Sequence, residues 1–183
     1  MSRKVLVPLA PGFEEIETIT VVDILRRAGA RVTLAGTEDG PIKGSRGVFV
    51  VADQRLSEVL DNDFDLVMLP GGQPGVTHLQ QNADVIQLLQ NMDRQEKYIA
   101  AICAAPLVLR DAGVMQSLET TSHPSIREQL TVSRYSDERV VVDGRLVTSQ
   151  SPGTAMEFAF KLVEILFGPE MVDKVNAGVM ARI

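Results

Sequence analysis

Short apolar runs alternate with amphipathic stretches along most of the chain. Apolar runs typical of buried strands lie at 4–10, 31–35, 64–69 and 98–102. Between the first two, residues 14–28 carry apolar side chains at helical spacing. Acidic residues occupy the first turns of this stretch, and Arg26 and Arg27 precede Gly29, as expected at the end of a helix. A strand, a helix and a strand in this order predict a parallel βαβ unit with a right-handed crossover.

The rest of the chain continues this alternation. Helices are predicted over 82–94, from just after Cys103 to Ala112, over 154–167 and from Pro169 onward. A short strand is predicted at 48–52, and 139–148 is predicted to form a hairpin around Asp143-Gly144, a dipeptide typical of type I′ turns. Repeats, low-complexity tracts and linkers are absent from the sequence. The sequence therefore predicts a single α/β domain over 1–183, with a flavodoxin-like, doubly wound, mostly parallel sheet in a three-layer α/β/α sandwich.

Composition narrows the classes of function. The 183 residues carry a net charge of −6 and include no tryptophan and two tyrosines, which argues against a nucleic-acid or anionic-membrane partner. The longest apolar run, 98–109, is far shorter than the roughly 20 residues of a membrane span. The N-terminal apolar stretch is too short for a signal peptide, so we expect a cytoplasmic protein. One cysteine excludes internal disulfides, and two histidines leave few ligands for a metal.

Cys103 is the first candidate for chemistry. It follows the predicted strand 98–102 and precedes a predicted helix, with the small residues Ala101 and Ala105 two positions away on either side. A nucleophile elbow requires small residues there, and the start of a helix favours a thiolate with a lowered pKa. A buried cysteine that acts as a small hydrophobic residue fits the same window, since alanine is less diagnostic than glycine at these positions.

Glu17 is the second candidate. It lies early in the first predicted helix, at the edge of the sheet where sites of open α/β proteins are found. Compensation of the helix dipole explains Glu14 and Glu15 well, and it could also explain Glu17. Three glutamates in four residues exceed that need, however, and Ile16 and Ile19 flank Glu17. A carboxyl that points partly inward would hold its proton more tightly and could act as a general acid or base near neutral pH.

Two glycines end the strand at 64–69. The N–H groups of Gly71 and Gly72 could form an oxyanion hole, although a plain tight turn explains them as well. The segment 71–75 does not fit the dinucleotide-binding fingerprint. The acidic turn at 11–15 fits it even less, because its carboxylates would repel a pyrophosphate. We therefore expect no nicotinamide or flavin cofactor.

His123 is the third candidate, in a predicted loop twenty residues after the cysteine. Apart from His78, it is the only imidazole that could assist a thiolate. No acid that would orient the ring stands at a familiar spacing, and a lone loop histidine is more often a surface residue.

Several motifs in one order resemble the DJ-1/ThiJ branch of the DJ-1/PfpI superfamily over nearly the whole chain. The matching stretches are 11–18, 23–29, 67–72, 100–106, 120–124 and 148–154. The resemblance implies a flavodoxin-like homodimer that needs no cofactor or metal. It implies that Cys103 is a reactive, oxidation-sensitive thiol and that Glu17 is a protonated carboxyl in contact with its sulfur.

The resemblance also assigns surrounding residues. It implies backbone donors at Gly72 and Ala104, a pocket lined by Gly71, Ser151 and His123, and basic residues at the dimer interface and pocket mouth, Arg27 and Arg46.

The sequence departs from the family pattern at four places. Ala105 stands where many relatives have glycine, and Ser151 stands where some do. The tail 176–183 lacks a proline found in some members. Ala104 replaces the histidine that follows the cysteine in the peptidase branch, which argues against proteolysis. A glutamine amidotransferase fits poorly for the same reason.

The resemblance implies glyoxalase III-like or deglycase-like activity on small 2-oxoaldehydes (methylglyoxal, glyoxal) or on glycated side chains, in defence against carbonyl and oxidative stress. A second hypothesis is a redox-sensing stress protein or chaperone that acts through oxidation of Cys103 without significant turnover. A third is a family member that has lost its chemistry.

Overall fold

The computed structural model describes residues 2–115, 118–130 and 134–181. The strands are β1 (Lys4–Leu9), β2 (Arg31–Gly36), β3 (Pro41–Lys43), β4 (Phe49–Val51), β5 (Gln54–Arg55), β6 (Leu66–Leu69), β7 (Tyr98–Ile102), β8 (Glu119–Thr120), β9 (Arg134–Tyr135), β10 (Val140–Asp143) and β11 (Leu146–Ser149). The helices are α1 (Glu15–Arg27), α2 (Gly75–Gln81), α3 (Ala83–Arg94), α4 (Pro106–Ala112), α5 (Ala155–Phe167) and α6 (Pro169–Val179). Within the described ranges, no helix has the length and apolar character needed to cross a bilayer.

Seven strands form the main sheet in the order β10-β11-β7-β6-β1-β2-β5, and every neighbouring pair except β10–β11 is parallel. The chain moves outward from β1 to β2 and then returns to β6 on the other side of β1. This reversal confirms the predicted doubly wound sheet. In sheets of this kind, sites lie in the crevice beyond the carboxyl ends of the strands where the order reverses, which are β1 and β6 here.

Two apolar clusters cover the two faces of the sheet. Successive residues of β1 alternate between them, since Leu6 packs into one cluster and Val5 and Val7 into the other. The first cluster lies under α2, α3 and α4, and the second lies under α1, α5 and α6. The predicted three-layer sandwich is therefore confirmed.

Helix α1 has the boundaries that its sequence signals predict. The carboxylate of Glu14 caps its first turn, and Gly29 adopts a φ of 89° just beyond its end, a conformation that glycine tolerates best. The helix thus starts directly after β1, which places its acidic first turn at the crevice.

Several elements differ from the sequence-based predictions. The strand predicted at 48–52 is β4, and it pairs with β3 in a separate hairpin rather than in the main sheet. The predictions contain neither the two-residue edge strand β5 nor the short helix α2. The helix predicted to start directly after Cys103 begins only at Pro106, because 103–105 form a turn.

The turn between β10 and β11 is not type I′. Asp143 pairs with Leu146, so the two loop residues are Gly144 and Arg145. Type I′ needs a positive φ at both loop residues, and only Gly144 has one, at 59°. The prediction was therefore wrong in turn type and in register by one residue.

Candidate active site

Three neighbouring parallel strands end at one edge of the sheet and bring the candidate residues together. Glu17 lies on α1 after β1, Gly71 and Gly72 follow β6, and Cys103 follows β7. The N–H of Gly71 donates to Oε2 of Glu17 at 2.8 Å, and the side chains of Glu17 and Cys103 share a hydrogen bond. Acid, thiol and glycine turn therefore form one site.

Cys103 sits in a constrained turn. Its φ is 65°, a left-handed conformation that is costly for a residue with a Cβ. Its N–H donates to the carbonyl of Ser149 at 3.0 Å, and its carbonyl accepts from the N–H of His123 at 2.9 Å. The side chain is half-buried rather than sealed in the core, so the backbone is fixed while the sulfur can still meet a small molecule.

The carboxyl of Glu17 is completely buried. Burial, with a smaller contribution from the charge of Glu14, raises its pKa to about 7, against the opposing hydrogen bonds from Gly71 and Cys103. Its Oε1 has no hydrogen-bond partner of good geometry among the described residues. Glu17 therefore has a free oxygen and a pKa suited to moving protons at neutral pH.

The thiol of Cys103 does not have the lowered pKa predicted from its position before a helix. Burial, and then the charge and hydrogen bond of Glu17, raise the pKa of Cys103 to about 12, and the N–H groups of Ala104 and Gly72 oppose this only weakly. The helix contributes little because α4 begins three residues later, at Pro106. Glu17 and Cys103 are thus a coupled pair, and a thiolate is favoured only when the carboxyl holds the proton.

Gly71 and Gly72 are more than a tight turn. A Cβ on Gly71 would lie 2.6 Å from the Cβ of Cys103 and 2.7 Å from Oε2 of Glu17. Gly72 has a φ of 94°, and a Cβ there would lie 2.4 Å from the backbone nitrogen of Glu14. The backbone thus approaches the acid and the sulfur closely enough for the Gly72 and Ala104 N–H groups to act on the sulfur.

Replacing Gly71 with alanine is expected to push the Glu17 and Cys103 side chains apart. Because the φ of Gly71 is not in the left-handed region, the backbone can persist, and we expect a destabilisation of only about 1–3 kcal/mol. We expect turnover to fall by at least about 10-fold, since the acid no longer meets the thiol. Urea denaturation measures the first effect, and the rate of a reaction that uses Cys103 and Glu17 measures the second.

Gly178→Ala in α6 is the matched control, because a Cβ there meets nothing within 4 Å and should leave both quantities unchanged or raise stability. Wild-type turnover in Gly71→Ala would contradict the contact between the acid and the thiol.

Among the described residues, the side chains of His123 and Ser151 make no hydrogen bond to the side chains of Glu17 or Cys103. The backbone of His123 binds Cys103, but Nδ1 of its ring accepts from the N–H of Ser125 at 3.2 Å and contacts the Ser125 hydroxyl at 2.8 Å. The N–H of Ser151 donates to Oγ1 of Thr154 at 3.0 Å, at the start of α5.

The two predicted arginines lie farther out. Arg27 is ten residues beyond Glu17 on α1, about 15 Å along the helix, and pairs with Asp23 at 2.7 Å. It is therefore not part of this chain's own site. Arg46 has an exposed side chain in the loop between β3 and β4. His78, the other histidine, contacts the carbonyl of Pro11 through Nδ1 at 2.8 Å.

Sequence reasoning missed the separate contacts of the two preceding glutamates. Glu14 accepts from the N–H of Glu17, whereas Glu15 accepts from Ser45, Arg46 and Val48 and so holds the β3–β4 loop. Burial raises the pKa of Glu15, but the backbone N–H groups and the Ser45 hydroxyl outweigh it and leave that pKa below its usual value. The three glutamates in four residues were the sequence signal that could have indicated these separate contacts. Within the described ranges, no three His, Cys, Asp or Glu side chains are placed to hold a metal ion.

Comparisons with known proteins identify the family and the fold. A model of the DJ-1/PfpI family matches residues 3–165. Protein dj-1beta of Drosophila melanogaster is 46% identical over 98% of both chains, and its crystal structure superposes with a TM-score of 0.96 over 100% of both. The glutathione-independent glyoxalase DJR-1.2 of Caenorhabditis elegans is 37% identical over 93% of this chain and 92% of its own. The structure of oxidized Toxoplasma gondii DJ-1 is 38% identical, with a TM-score of 0.96 and full coverage of both chains.

Proposed function

The chain belongs to the DJ-1/PfpI family, and we propose that it converts small 2-oxoaldehydes such as methylglyoxal and glyoxal into hydroxy acids without a cofactor. The observation that carries the proposal is the hydrogen-bonded pair of Cys103 and Glu17 beneath the N–H groups of Gly72 and Ala104. A relative named as a glutathione-independent glyoxalase supports the same reaction.

The first step is addition of sulfur to the aldehyde carbon. The Glu17 carboxylate takes the thiol proton as the S–C1 bond forms, because its pKa of about 7 leaves it partly ionised at neutral pH and because it contacts the thiol. The carbonyl electron pair moves to oxygen, and the N–H groups of Gly72 and Ala104 stabilise that charge. Glu17 then gives its proton to this oxygen, which yields a hemithioacetal and restores the carboxylate.

The second step moves hydrogen from C1 to C2. The restored carboxylate removes the C1 proton, and the C1–H electron pair becomes the C1–C2 double bond. The C2 carbonyl electron pair moves onto its oxygen, which takes a proton from solvent, so an enediol forms. The C1–C2 electron pair then takes the proton that Glu17 holds at C2, while the C1 hydroxyl loses its proton to solvent and becomes a carbonyl, which gives a thioester of the hydroxy acid. Water then cleaves the thioester, and the sulfur leaves and recovers its proton through Glu17. C1 is oxidised and C2 is reduced within one molecule. The net reaction therefore converts one 2-oxoaldehyde and one water into one hydroxy acid, and it needs no external oxidant.

Freshly reduced, chelator-treated protein is expected to convert methylglyoxal into lactate in D₂O, with deuterium at C2. The label is expected because the carboxyl proton of Glu17 exchanges with solvent between the two transfers. NMR of the product measures both yield and label. A rate no higher than that of buffer would overturn the proposed function, and lactate with only hydrogen at C2 would contradict exchange of the Glu17 proton with solvent between the two transfers.

Deglycation of side chains is a finer proposal for the same site. A reversible aldehyde adduct of an amine or thiol offers the same carbon to Cys103. Removal of free aldehyde also drains such adducts by mass action, so the repair rate has to exceed the spontaneous release of aldehyde.

A second candidate function is redox sensing. It is favoured by the half-buried thiol beside an acid and by the similarity to a T. gondii structure described as oxidized. In this case mild peroxide would add two oxygens selectively at Cys103, seen by mass spectrometry, while aldehyde turnover stays negligible. Suppression of aggregation that survives Cys103→Ala would indicate a surface chaperone function instead.

We also propose a homodimer. Apolar side chains are exposed on α1 and on the β3–β4 hairpin, and Glu15 ties these two elements together. The exposed fractions are 56% for Ile16, 43% for Ile19, 62% for Phe49 and 71% for Val51. A second copy would remove such a face from water. A cytoplasmic location and the lack of nucleic-acid partners stay predictions from the sequence.

A further inference from the structure

We propose that Glu14 is a positioning residue that fixes the carboxyl of Glu17 through a closed ring of three hydrogen bonds. The N–H of Glu17 donates to Oε2 of Glu14 at 2.7 Å. The N–H of Glu14 donates to the carbonyl of Gly71 at 2.9 Å. The N–H of Gly71 donates to Oε2 of Glu17 at 2.8 Å and so closes the ring.

Each of the three residues gives one donor and one acceptor to this ring. Glu17 enters it through both its backbone and its side chain, so the ring sets the direction of the side chain relative to its own helix. Rotation of the carboxyl away from Cys103 would break the bond to Gly71. The position of the glycine turn after β6 thus fixes the position of the Glu17 carboxyl through the ring.

Burial and close packing make the ring rigid. Glu14 is 8% exposed and Glu17 is completely buried, so water cannot easily replace a lost bond. The backbone nitrogen of Glu14 also lies only 2.4 Å from the position that a Cβ on Gly72 would take. The carbonyl of Glu14 accepts from both the N–H and the hydroxyl of Thr18, at 3.1 and 2.8 Å. The residue is therefore held on both sides.

Glu14 also acts on Glu17 through its charge. Two ionisable groups affect the pKa of the Glu17 carboxyl, namely Glu14 at the start of the same helix and Cys103 in the turn after β7. The N–H of Gly71, in the turn after β6, is the remaining contact. The negative charge of Glu14 makes ionisation of Glu17 harder, and it is the smallest of the four influences. Geometry and charge can therefore be separated by substitution.

Glu15 supplies a matched comparison. It is a neighbouring buried glutamate with the same charge, but its carboxylate binds the β3–β4 loop and not the ring. Charge removal at Glu15 should leave the titration of Glu17 unchanged if the proposed ring is specific.

The experiment compares Glu14→Gln, Glu14→Ala and Glu15→Gln in the full chain. Glutamine keeps an oxygen that can accept from Glu17 N–H, so Glu14→Gln should keep kcat within about 3-fold and lower the Glu17 midpoint by less than about one pH unit. Alanine opens the ring, so kcat should fall by about 10- to 100-fold with KM within about 3-fold, because the acid is misplaced while substrate contacts remain. Glu15→Gln should not shift the midpoint.

Three measurements are made on each protein: ¹³C NMR titration of the Glu17 carboxyl, the rate of Cys103 alkylation by iodoacetamide against pH, and kcat and KM for methylglyoxal. Equal loss of kcat in Glu14→Gln and Glu14→Ala would overturn positioning, as would a wild-type titration and rate in Glu14→Ala. If alanine prevents folding, Glu14→Asp takes its place, since the shorter side chain cannot keep the 2.7 Å bond without moving.

The kinetic part rests on the proposed function, whereas titration and alkylation need no aldehyde. A wild-type protein without turnover would therefore refute the proposed function and leave those two measurements to decide on the ring.

Discussion

Cys103→Ser is expected to lower kcat/KM for methylglyoxal by at least about 10³-fold. The hydroxyl fits the same space and the same strained backbone, so stability should change by less than about 1 kcal/mol. Its pKa lies too far above the value of about 7 for Glu17, so the carboxylate cannot remove its proton as it would from a thiol. Lactate formation at low substrate concentration measures the loss.

Wild-type protein alkylated at Cys103 with iodoacetamide is the companion control, because the chain has one cysteine and the reagent blocks the same atom. It should lose activity to the same degree. A serine variant within about 10-fold of the wild type would rule out covalent catalysis by sulfur.

Glu17→Gln is expected to lower kcat/KM by at least about 100-fold and to remove its dependence on pH near neutrality. In the wild type, kcat/KM should rise with pH and level off above about 7, because the carboxylate is the form that accepts the thiol proton. This apparent value belongs to the pair with Cys103. A pH profile of turnover measures the effect, and an unchanged rise near pH 7 in the variant would assign it to another group.

The same substitution is expected to stabilise the fold at pH 8. The pKa of Glu17 is about 7 in the folded chain and 4.5 as its ordinary value, so between these values the folded state binds more protons than the unfolded state. Stability therefore falls as pH rises from about 4.5 to about 7, by at most about 3 kcal/mol. Glutamine carries no charge and avoids this cost, which is a gain in stability from a change that removes function.

Urea denaturation at pH 4 and pH 8 measures this gain, which should be present at pH 8 and absent at pH 4. Glu38→Gln, at an exposed position, should change stability equally at both values. A stability difference between Glu17→Gln and the wild type that does not vary with pH would show that the buried carboxyl is not the group that titrates.

The sequence predicted the main layers because their helices and strands are long enough to show a periodic pattern of apolar residues. Helices α1, α3, α5 and α6 each have eleven or more residues, and the inner strands are apolar runs with clear ends. Strand β5 has two residues and α2 has seven, so neither shows a period of its own. Their structure depends on neighbours, as does the register of the β10–β11 turn.

The location of the site was predictable, but its electrostatics were not. The rule for strand ends in α/β sheets places Glu17, Gly71 and Cys103 at one edge without knowledge of side chains. Whether each glutamate faces Gly71, the β3–β4 loop or the thiol depends on packing that no local pattern encodes. The pKa of Cys103 was predicted in the wrong direction because the start of a helix is visible in sequence, whereas burial beside a carboxylate is not.

The clamped backbone of Cys103 has a consequence for the kind of molecule that the site can process. Methylglyoxal has about five heavy atoms, and so small a molecule gains at most roughly 7 kcal/mol from its contacts. The binding energy of such a ligand is too small to induce a large conformational change in an enzyme. The folded structure itself already holds the Cys103 sulfur, the backbone N–H donors and the Glu17 carboxyl in their relative positions. Little orientational entropy is therefore left to be lost during the reaction. Weak affinity together with fast capture at high aldehyde concentration is the behaviour that this rigidity favours.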